Sequence, residues 1–300
     1  MNHNMKYSRT AFLPALLVLG LPLAVAQIPF APDVASTMDP IKLKLTAKDQ
    51  ERDYLSDVEL IAQDTMERRK GWRFEKLYRG DASRKMLALT IDDGPHPKFT
   101  PGLLAMLKKL DIKATFFVIG EEAQFNPDLI KAEIADGHQV SNHTYHHARL
   151  NHVMPELIAP EIAACDAVIS RITGKPADPY LRPPGGEYDA DVVAACRKLG
   201  KTIVIYTDDP ADYANPSPDV LYERTMKHAS NGGILLVHDG VQETIDQLPR
   251  IVNALKAKGY RFVTVSELDA ASRPKAIRDW QAKTPLPKAR IVAFPRTRKR

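Results

Sequence analysis

The stretch KMLALTIDDGPHP (residues 85–97) joins a short apolar run to a cluster of polar residues. Residues 85–91 have the length and composition of a buried β-strand. Two adjacent acids, Asp92 and Asp93, and a Gly-Pro turn follow directly. In parallel α/β folds, functional groups collect where the strands end. The stretch therefore predicts a buried strand with a candidate polar site at its carboxyl end, although an Asp-Gly-Pro turn alone is common in loops.

The same alternation continues along the chain. Six more strand-like runs lie at 113–119, 138–143, 179–184, 201–207, 232–238 and 260–265. Helix-like stretches separate them, near 100–110, 126–136, 155–173, 189–199, 217–230 and 242–258. Repeated β-α units predict a parallel sheet with helices outside. About seven units in fewer than 200 residues favour closure into a barrel, and an open doubly wound sheet is the alternative.

The third run ends in SNHTYHHARL (141–150), which holds three histidines. If His143 begins a helical turn, His147 projects from the same face one turn later, with His146 on roughly that side. Two imidazoles and a carboxylate such as Asp93 can bind one metal ion and leave positions for water and substrate. Taken alone, the HxxxH spacing also fits polar surface histidines.

Three later runs also end in polar residues. LRPPGGEY (181–188) places Arg182, which could pair with a carboxylate, before backbone N–H groups of Gly185 and Gly186 that could receive an oxyanion. YTDDPADY (206–213) contributes three acids, and LLVHDG (235–240) places His238 after an apolar run as a candidate general acid. A loop salt bridge and a structural histidine are the alternatives for these segments.

Together, TIDDGP, NHTYHH, RPPGG, DDPADY and LLVHD occur in one order at successive predicted strand ends. Residues 84–268 thereby resemble the polysaccharide deacetylases, the NodB-homology domain of carbohydrate esterase family 4. The resemblance implies an α/β fold, a distorted (β/α)7 barrel, preceded here by a helical N-terminal extension. It also implies a metal-dependent carbohydrate deacetylase.

The resemblance implies a role for individual residues. They are Asp92 as general base, Asp93, His143 and His147 as metal ligands, Arg182 as partner of the base, Asp212 as the acid that tunes the catalytic histidine, His238 as general acid, Gly185 as oxyanion donor, and Leu236 and Tyr213 as substrate contacts. The expected cofactor is one divalent ion, Zn²⁺ first, although the same ligands suit Co²⁺, Ni²⁺ or Fe²⁺.

The chain departs from the family pattern in its aromatic residues. Gly185 stands where the family usually has an aromatic side chain, and Tyr206 and Tyr213 stand where it often has tryptophan. Only a backbone N–H is needed for the oxyanion, so we expect hydrolysis to survive. The sugar contacts should differ from those usual in the family.

The expected reaction is hydrolysis of N-acetyl groups on an amino-sugar glycan, peptidoglycan or a related envelope polysaccharide. Three alternatives are a chitooligosaccharide deacetylase, an O-acetyl esterase and a non-catalytic glycan-binding module. The intact base, ligand and acid positions argue against the binding module.

The N-terminus predicts export. Residues 1–26 read as a signal peptide: a positive start, an apolar run at 11–25 and Ala24-Val25-Ala26 as a cleavage site. We expect a periplasmic or extracellular protein, and an uncleaved anchor is the alternative. Residues 27–83 are predicted as a linker followed by a helical extension, with helix at 47–70.

Composition limits the remaining partners. Of 300 residues, 44% are hydrophobic and 26% charged, as in ordinary globular proteins. The predicted tail at 269–300 is basic: residues 271–300 hold ten Lys or Arg and one acid. Such a tail could contact an anionic envelope or membrane surface, or be merely solvated. Export argues against a nucleic-acid partner. Cys165 and Cys196 are interpreted as small buried side chains, although export permits a disulfide.

Overall fold

The computed structural model describes Met38, Lys42 and residues 54–55, 57–71 and 74–272. The predicted signal peptide, residues 273–300 of the tail, nearly all of the linker at 27–46 and residues 47–53 of the predicted helix lie outside the described residues. In the part of the chain that is described, no helix combines the length and apolar character needed to cross a membrane.

Helices and strands alternate along the described residues. The strands are β1 Lys76–Leu77, β2 Met86–Asp92, β3 Thr115–Val118, β4 Gln139–Asn142, β5 Tyr180–Leu181, β6 Thr202–Val204, β7 Gly233–His238 and β8 Arg261–Val263. The helices are α1 Asp57–Lys70, α2 Thr100–Lys109, α3 Gly120–Phe125, α4 Pro127–Ala135, α5 Pro155–Thr173, α6 Ala190–Leu199, α7 Pro218–His228, α8 Gln242–Ala257 and α9 Val265–Ser272. Short 3₁₀ turns occupy Pro184–Gly186 and Asp212–Ala214.

The strands form one parallel sheet in the order β1-β6-β5-β4-β3-β2-β7. β8 pairs with the amino-terminal half of β2, whose carboxyl-terminal half pairs with β3. An isolated bridge from Asp208, which follows β6, to Leu235 on β7 joins the two opposite sides of the sheet. The sheet is therefore curled into a distorted barrel, as the unit count and the resemblance predict, rather than open and doubly wound.

The side chains of β2 alternate between two cores. Leu87, Leu89 and Ile91 pack in an outer core with residues of the surrounding helices. Met86 and Ala88 pack in an inner core with residues from the other strands, among them Phe117 and Leu236. Since a strand has a two-residue period, Thr90 and Asp92 point to the same side as Met86 and Ala88. Asp92 thus lies at the carboxyl end of the barrel, facing its interior.

All seven strand-like runs contain strands, and the six helix-like stretches contain helices. β1, α3 and α9 were not anticipated, because two residues of strand and six or eight of helix are too short for a clear periodic signal. Cys165 and Cys196 are buried free thiols, in agreement with their interpretation as packing residues.

The N-terminal extension packs against the barrel. α1 buries Leu60, and its Glu67 accepts hydrogen bonds from Tyr188 Oη at 2.5 Å and Lys76 Nζ at 2.6 Å. Met38 is buried in the outer core. The described part of the extension is therefore held by both apolar and polar contacts with the rest of the protein.

Candidate active site

Two adjacent carboxylates begin the site at the end of β2. Asp92 is wholly buried and still belongs to the strand, where it pairs with His238 of β7. Asp93 has φ of +73°, a left-handed conformation that is unfavourable for residues other than glycine. Such strain persists where the surroundings impose it, often at functional sites. The turn gives the two neighbouring carboxylates different surroundings.

Asp93, His143 and His147 form the candidate metal centre. One ligand atom from each lies within 4.8 Å of the other two, and all three residues are buried. The Nε2 atoms of His143 and His147 lie 3.4 and 3.2 Å from Asp93 Oδ1. These atoms are the nitrogen and oxygen donors that suit a divalent transition metal or zinc.

The tautomer of His143 favours metal binding. Its Nδ1 lies 2.8 Å from the carbonyl oxygen of Arg182, and because a carbonyl only accepts, Nδ1 carries the proton. Nε2 then presents its lone pair to the centre. That atom is buried and makes no hydrogen bond within the described residues. A buried nitrogen in this state fits a metal ligand whose second ring nitrogen is held by the protein.

The two ligand histidines do not lie on a helix, so the expected helical turn is wrong. His143 directly follows β4, and the chain then bends through a loop with left-handed conformations at Thr144 and His147. The loop still places the two imidazole centres 4.9 Å apart. His146 turns away from the centre, and its Nδ1 lies 2.7 Å from Glu161 Oε1 on α5.

The charge of the Asp93 carboxylate is set by its neighbours. Burial by itself would raise its pKa, but the imidazoles of His147 and His143, 3.2 and 3.4 Å from Oδ1, hold the pKa well below the usual value. Asp93 is therefore an anion, which is the form that binds a cation.

Arg182 holds Asp92 from inside the barrel. Its Nη1 donates to Asp92 Oδ1 at 2.7 Å and to Thr90 Oγ1 at 2.8 Å. The guanidinium carbon also lies 4.2 Å from the centre of the Phe117 ring. The other oxygen, Asp92 Oδ2, makes no hydrogen bond to any described residue and lies 3.7 Å from His143 Nε2. Asp92 thus presents an uncommitted carboxylate oxygen to the metal centre.

His238 is oriented by Asp212. His238 Nδ1 lies 2.6 Å from Asp212 Oδ1, and Asp212 Oδ2 accepts hydrogen bonds from His238 N at 2.8 Å and Thr244 Oγ1 at 2.5 Å. Burial would lower the pKa of His238, but Asp212, with smaller contributions from Asp93 and Asp92, raises it to about 9. His238 Nε2 makes no hydrogen bond among the described residues. The ring can therefore be protonated near neutral pH and donate from Nε2.

The predicted substrate residues surround this pair. Leu236 lies two residues before His238 on the inner face of β7 and is fully buried. The Tyr213 ring is 5.4 Å from that of His238. Gly185 has φ of +71°. The Gly186 N–H donates to the Pro183 carbonyl at 3.0 Å, so the expectation that it is free is wrong, and Gly185 is the candidate oxyanion donor that remains.

Several residues of the site carry no sequence signal. Thr90 and Phe117 contact Arg182 from within apolar strands, and Thr244 contacts Asp212 from α8. Tyr54 packs on His238 from the N-terminal extension, with ring centres 4.6 Å apart. Two acids noted with Asp212 have other contacts: Asp208 accepts a hydrogen bond from Ser230, and Asp209 accepts one from the Ala211 N–H.

Comparison with known proteins identifies the family. The polysaccharide deacetylase family model matches residues 79–204. A peptidoglycan-N-acetylglucosamine deacetylase of Bacillus cereus is 36% identical over 191 residues, which are 62% of this chain and 89% of the relative. The chain belongs to the polysaccharide deacetylase family.

Another relative and a solved structure are also named as glycan deacetylases. A chitooligosaccharide deacetylase of a Bradyrhizobium strain is 31% identical over 63% of this chain and 93% of its own length. The crystal structure of the Bc1960 peptidoglycan N-acetylglucosamine deacetylase, bound to an N-hydroxybenzamide, superposes with a TM-score of 0.63. It is 30% identical, with 67% of this chain and 96% of that one covered. The resemblance and the barrel fold are thereby confirmed.

Proposed function

We propose that this protein is an exported, metal-dependent polysaccharide deacetylase that hydrolyses N-acetyl groups of an amino-sugar glycan. The observation that carries the proposal is the convergence of three candidate ligands, Asp93, His143 and His147, beside an uncommitted oxygen of Asp92. Three metal ligands and a nearby base are what metal-assisted hydrolysis requires.

Asp93, His143 and His147 would hold one divalent ion, with Zn²⁺ preferred and Co²⁺, Ni²⁺ or Fe²⁺ as alternatives. When bound, the ion would supply Lewis-acid polarisation of the acetyl carbonyl and make a water molecule more acidic. A structural zinc site takes four ligands from the protein. Here the protein would supply three, so a coordination position would remain for water or substrate, as in catalytic sites.

Asp92 is the proposed general base. The hydrogen bond from Arg182 to Oδ1 orients the carboxylate, while Oδ2 remains able to accept a proton from the attacking water. Because Arg182 is in turn held by Thr90 and covered by Phe117, the base has little freedom to leave this position.

His238 is the proposed general acid. Its Nδ1 proton is held by Asp212, so a second proton on Nε2 can pass to the amine nitrogen as the carbon–nitrogen bond breaks. The Gly185 N–H is the proposed donor to the oxyanion. Leu236 and Tyr213 are proposed to contact the acetyl group and sugar. The products are acetate and a free amino sugar.

Peptidoglycan, or a related envelope polysaccharide, is the proposed substrate. The relatives named as peptidoglycan deacetylases support this choice, and the relative named as a chitooligosaccharide deacetylase supports chitin-like oligomers as the second candidate. An O-acetyl esterase would use the same metal, base and acid, since an alkoxide leaving group also takes up a proton. Amide hydrolysis is supported instead by the relatives named as N-acetylglucosamine and chitooligosaccharide deacetylases.

The proposed organisation follows the sequence prediction. Residues 1–26 direct export to the periplasm or the outside of the cell, residues 27–83 form the extension, and residues 84–268 carry the activity. The basic segment at 269–300 is proposed to contact an anionic envelope or membrane surface.

Acetate release tests the function. The full chain without its signal peptide would be incubated with peptidoglycan, chitin oligomers and O-acetylated xylan, with and without a chelator. We expect chelator-sensitive acetate release that zinc restores, with the amide substrates preferred. Glycan binding without acetate release from any substrate would contradict the proposal and favour a binding module.

A further inference from the structure

Tyr54 of the N-terminal extension lies on the candidate active site. Its ring centre is 4.6 Å from that of His238 and 5.1 Å from that of Tyr213. Tyr206 is a third aromatic neighbour, with centres 6.2 Å apart. The Tyr54 side chain thus contacts the proposed general acid, His238. It also contacts Tyr206 and Tyr213, the two tyrosines at positions where the family often has tryptophan.

The backbone beside Tyr54 is held by groups that border the same site. The Leu55 N–H donates to the Gly185 carbonyl at 3.0 Å, and Tyr206 Oη donates to the Leu55 carbonyl at 2.8 Å. Gly185 is the candidate oxyanion donor, and Tyr206 lies beside Tyr54. Residues 54–55 are therefore joined by hydrogen bonds to residues that border the site.

The Tyr54 hydroxyl has the environment of a group aimed into a ligand site. The residue is 9% exposed, and Oη makes no hydrogen bond within the described residues. Burial, together with the charges of Asp93 and Asp92, raises the pKa of the phenol well above its usual value, so the hydroxyl stays neutral. A buried hydroxyl without a partner is unfavourable, so the contact is weaker than its aromatic packing suggests.

We propose that Tyr54 occupies the place of the substrate's acetylated sugar and has to be displaced before substrate binds. This inference rests on the proposed function. An acetamide must contact both His238 and the metal centre, yet His238, Asp93 and His147 are only 3%, 7% and 5% exposed with Tyr54 in place. A sugar carries hydroxyl groups that can replace Leu55 as partners of Gly185 and Tyr206. Tyr54 therefore acts as a built-in competitor of the substrate.

Two variants with opposite expected effects test this proposal. In the zinc-loaded protein, Tyr54→Ala should lower KM for chitopentaose about tenfold with little change in kcat, as expected if the open form is a minor fraction of the wild type. Calorimetric titration with acetate should show tighter binding by a similar factor. Tyr54→Phe removes the unpartnered hydroxyl, so it should raise Tm and weaken acetate binding.

Tyr260→Ala is the matched control. This tyrosine precedes β8, at the opposite end of the barrel from the site, and its hydroxyl donates a 3.4 Å hydrogen bond to the Ala229 carbonyl. It should leave KM and acetate affinity as in the wild type.

The outcomes separate the two proposals. Weaker acetate binding and a higher KM in Tyr54→Ala would show that Tyr54 helps to hold the sugar. Unchanged acetate binding in both Tyr54 variants would show that Tyr54 does not cover the site. Either result overturns the inference. If wild type and variants released no acetate while Tyr54→Ala still bound acetate more tightly, the proposed function would fail and the competitor role would stand.

Discussion

Arg182 donates a 2.7 Å hydrogen bond to Oδ1 of Asp92, and neither side chain has any solvent exposure. The pair joins the end of β2 to the loop after β5 through the interior of the barrel. A buried charge whose partner is removed has neither water nor a counter-ion to stabilise it. The base of the proposed reaction is thus also part of the barrel's stability.

Arg182→Met should therefore destabilise the protein by roughly 3–5 kcal/mol in urea unfolding of the metal-free form. Arg250→Ala is the control, because Arg250 makes an equally short bond to Asp219 with both side chains well exposed. An exposed pair is worth only about 0–1 kcal/mol. Similar losses in the two variants would mean that burial does not set the energy of the Arg182 pair.

Asp92→Asn should retain the metal and lose most turnover. The amide preserves the size of the side chain and can still accept a hydrogen bond from Arg182, but it cannot take a proton from water. We expect kcat to fall by about 10²–10⁴, the usual contribution of a general base. Metal content by mass spectrometry and acetate release by enzymatic assay would be measured on one preparation. Normal turnover in this variant would remove Asp92 from the mechanism.

His143→Ala should abolish tight zinc binding, whereas His146→Gln should retain it. The two histidines are three residues apart, but only His143 joins the ligand cluster, and His146 is held by Glu161. Zinc at about one hundred times its Kd should stabilise the wild type and His146→Gln by about 2.7 kcal/mol. Thermal unfolding with and without zinc would measure this, and a zinc-dependent gain in His143→Ala would rule out the proposed centre.

Asp212→Asn should move the alkaline side of the pH–rate profile to lower pH. His238 has a pKa of about 9 because the negative charge of Asp212 outweighs burial. Without that charge the imidazolium is less stable, so His238 loses its proton, and its ability to act as an acid, at lower pH. The shift expected for losing an opposite charge at this distance is about 1–3 units. A profile of kcat/KM with an unchanged alkaline limb would contradict the assignment of His238 as the acid.

Much of the fold was predictable from local pattern. Each apolar run between glycine- or proline-containing loops became a strand, since a buried parallel strand needs a continuous apolar segment. The candidate site residues could be located because they follow those runs, and parallel strands bring their carboxyl ends to one edge. Thr90 and Thr244 could not be identified in this way, because threonine is ordinary in strands and in the first turn of helices.

The loop at 143–147 shows the limit of reasoning from spacing. The four-residue interval suggested a helical turn, but left-handed conformations at Thr144 and His147 bring the rings together in a loop. The interval correctly predicted that the two imidazoles would lie together. It did not predict the backbone conformation, because several backbone paths can place two side chains at the same separation. Tyr54 is a stronger example, since a single tyrosine before a charged helix predicts nothing about its partner.

The sequence by itself determined the parallel α/β class, the succession of the main strands along the chain and the residue types that follow them, because these depend on hydrophobic periodicity and on chemistry readable along the chain. Only the tertiary structure decided which of those residues meet: that His146 leaves the cluster, that the Gly186 N–H is already used, and that Tyr54 lies against His238. These outcomes depend on contacts between residues distant in the chain, whose energies are set by burial and by the available partners rather than by local sequence.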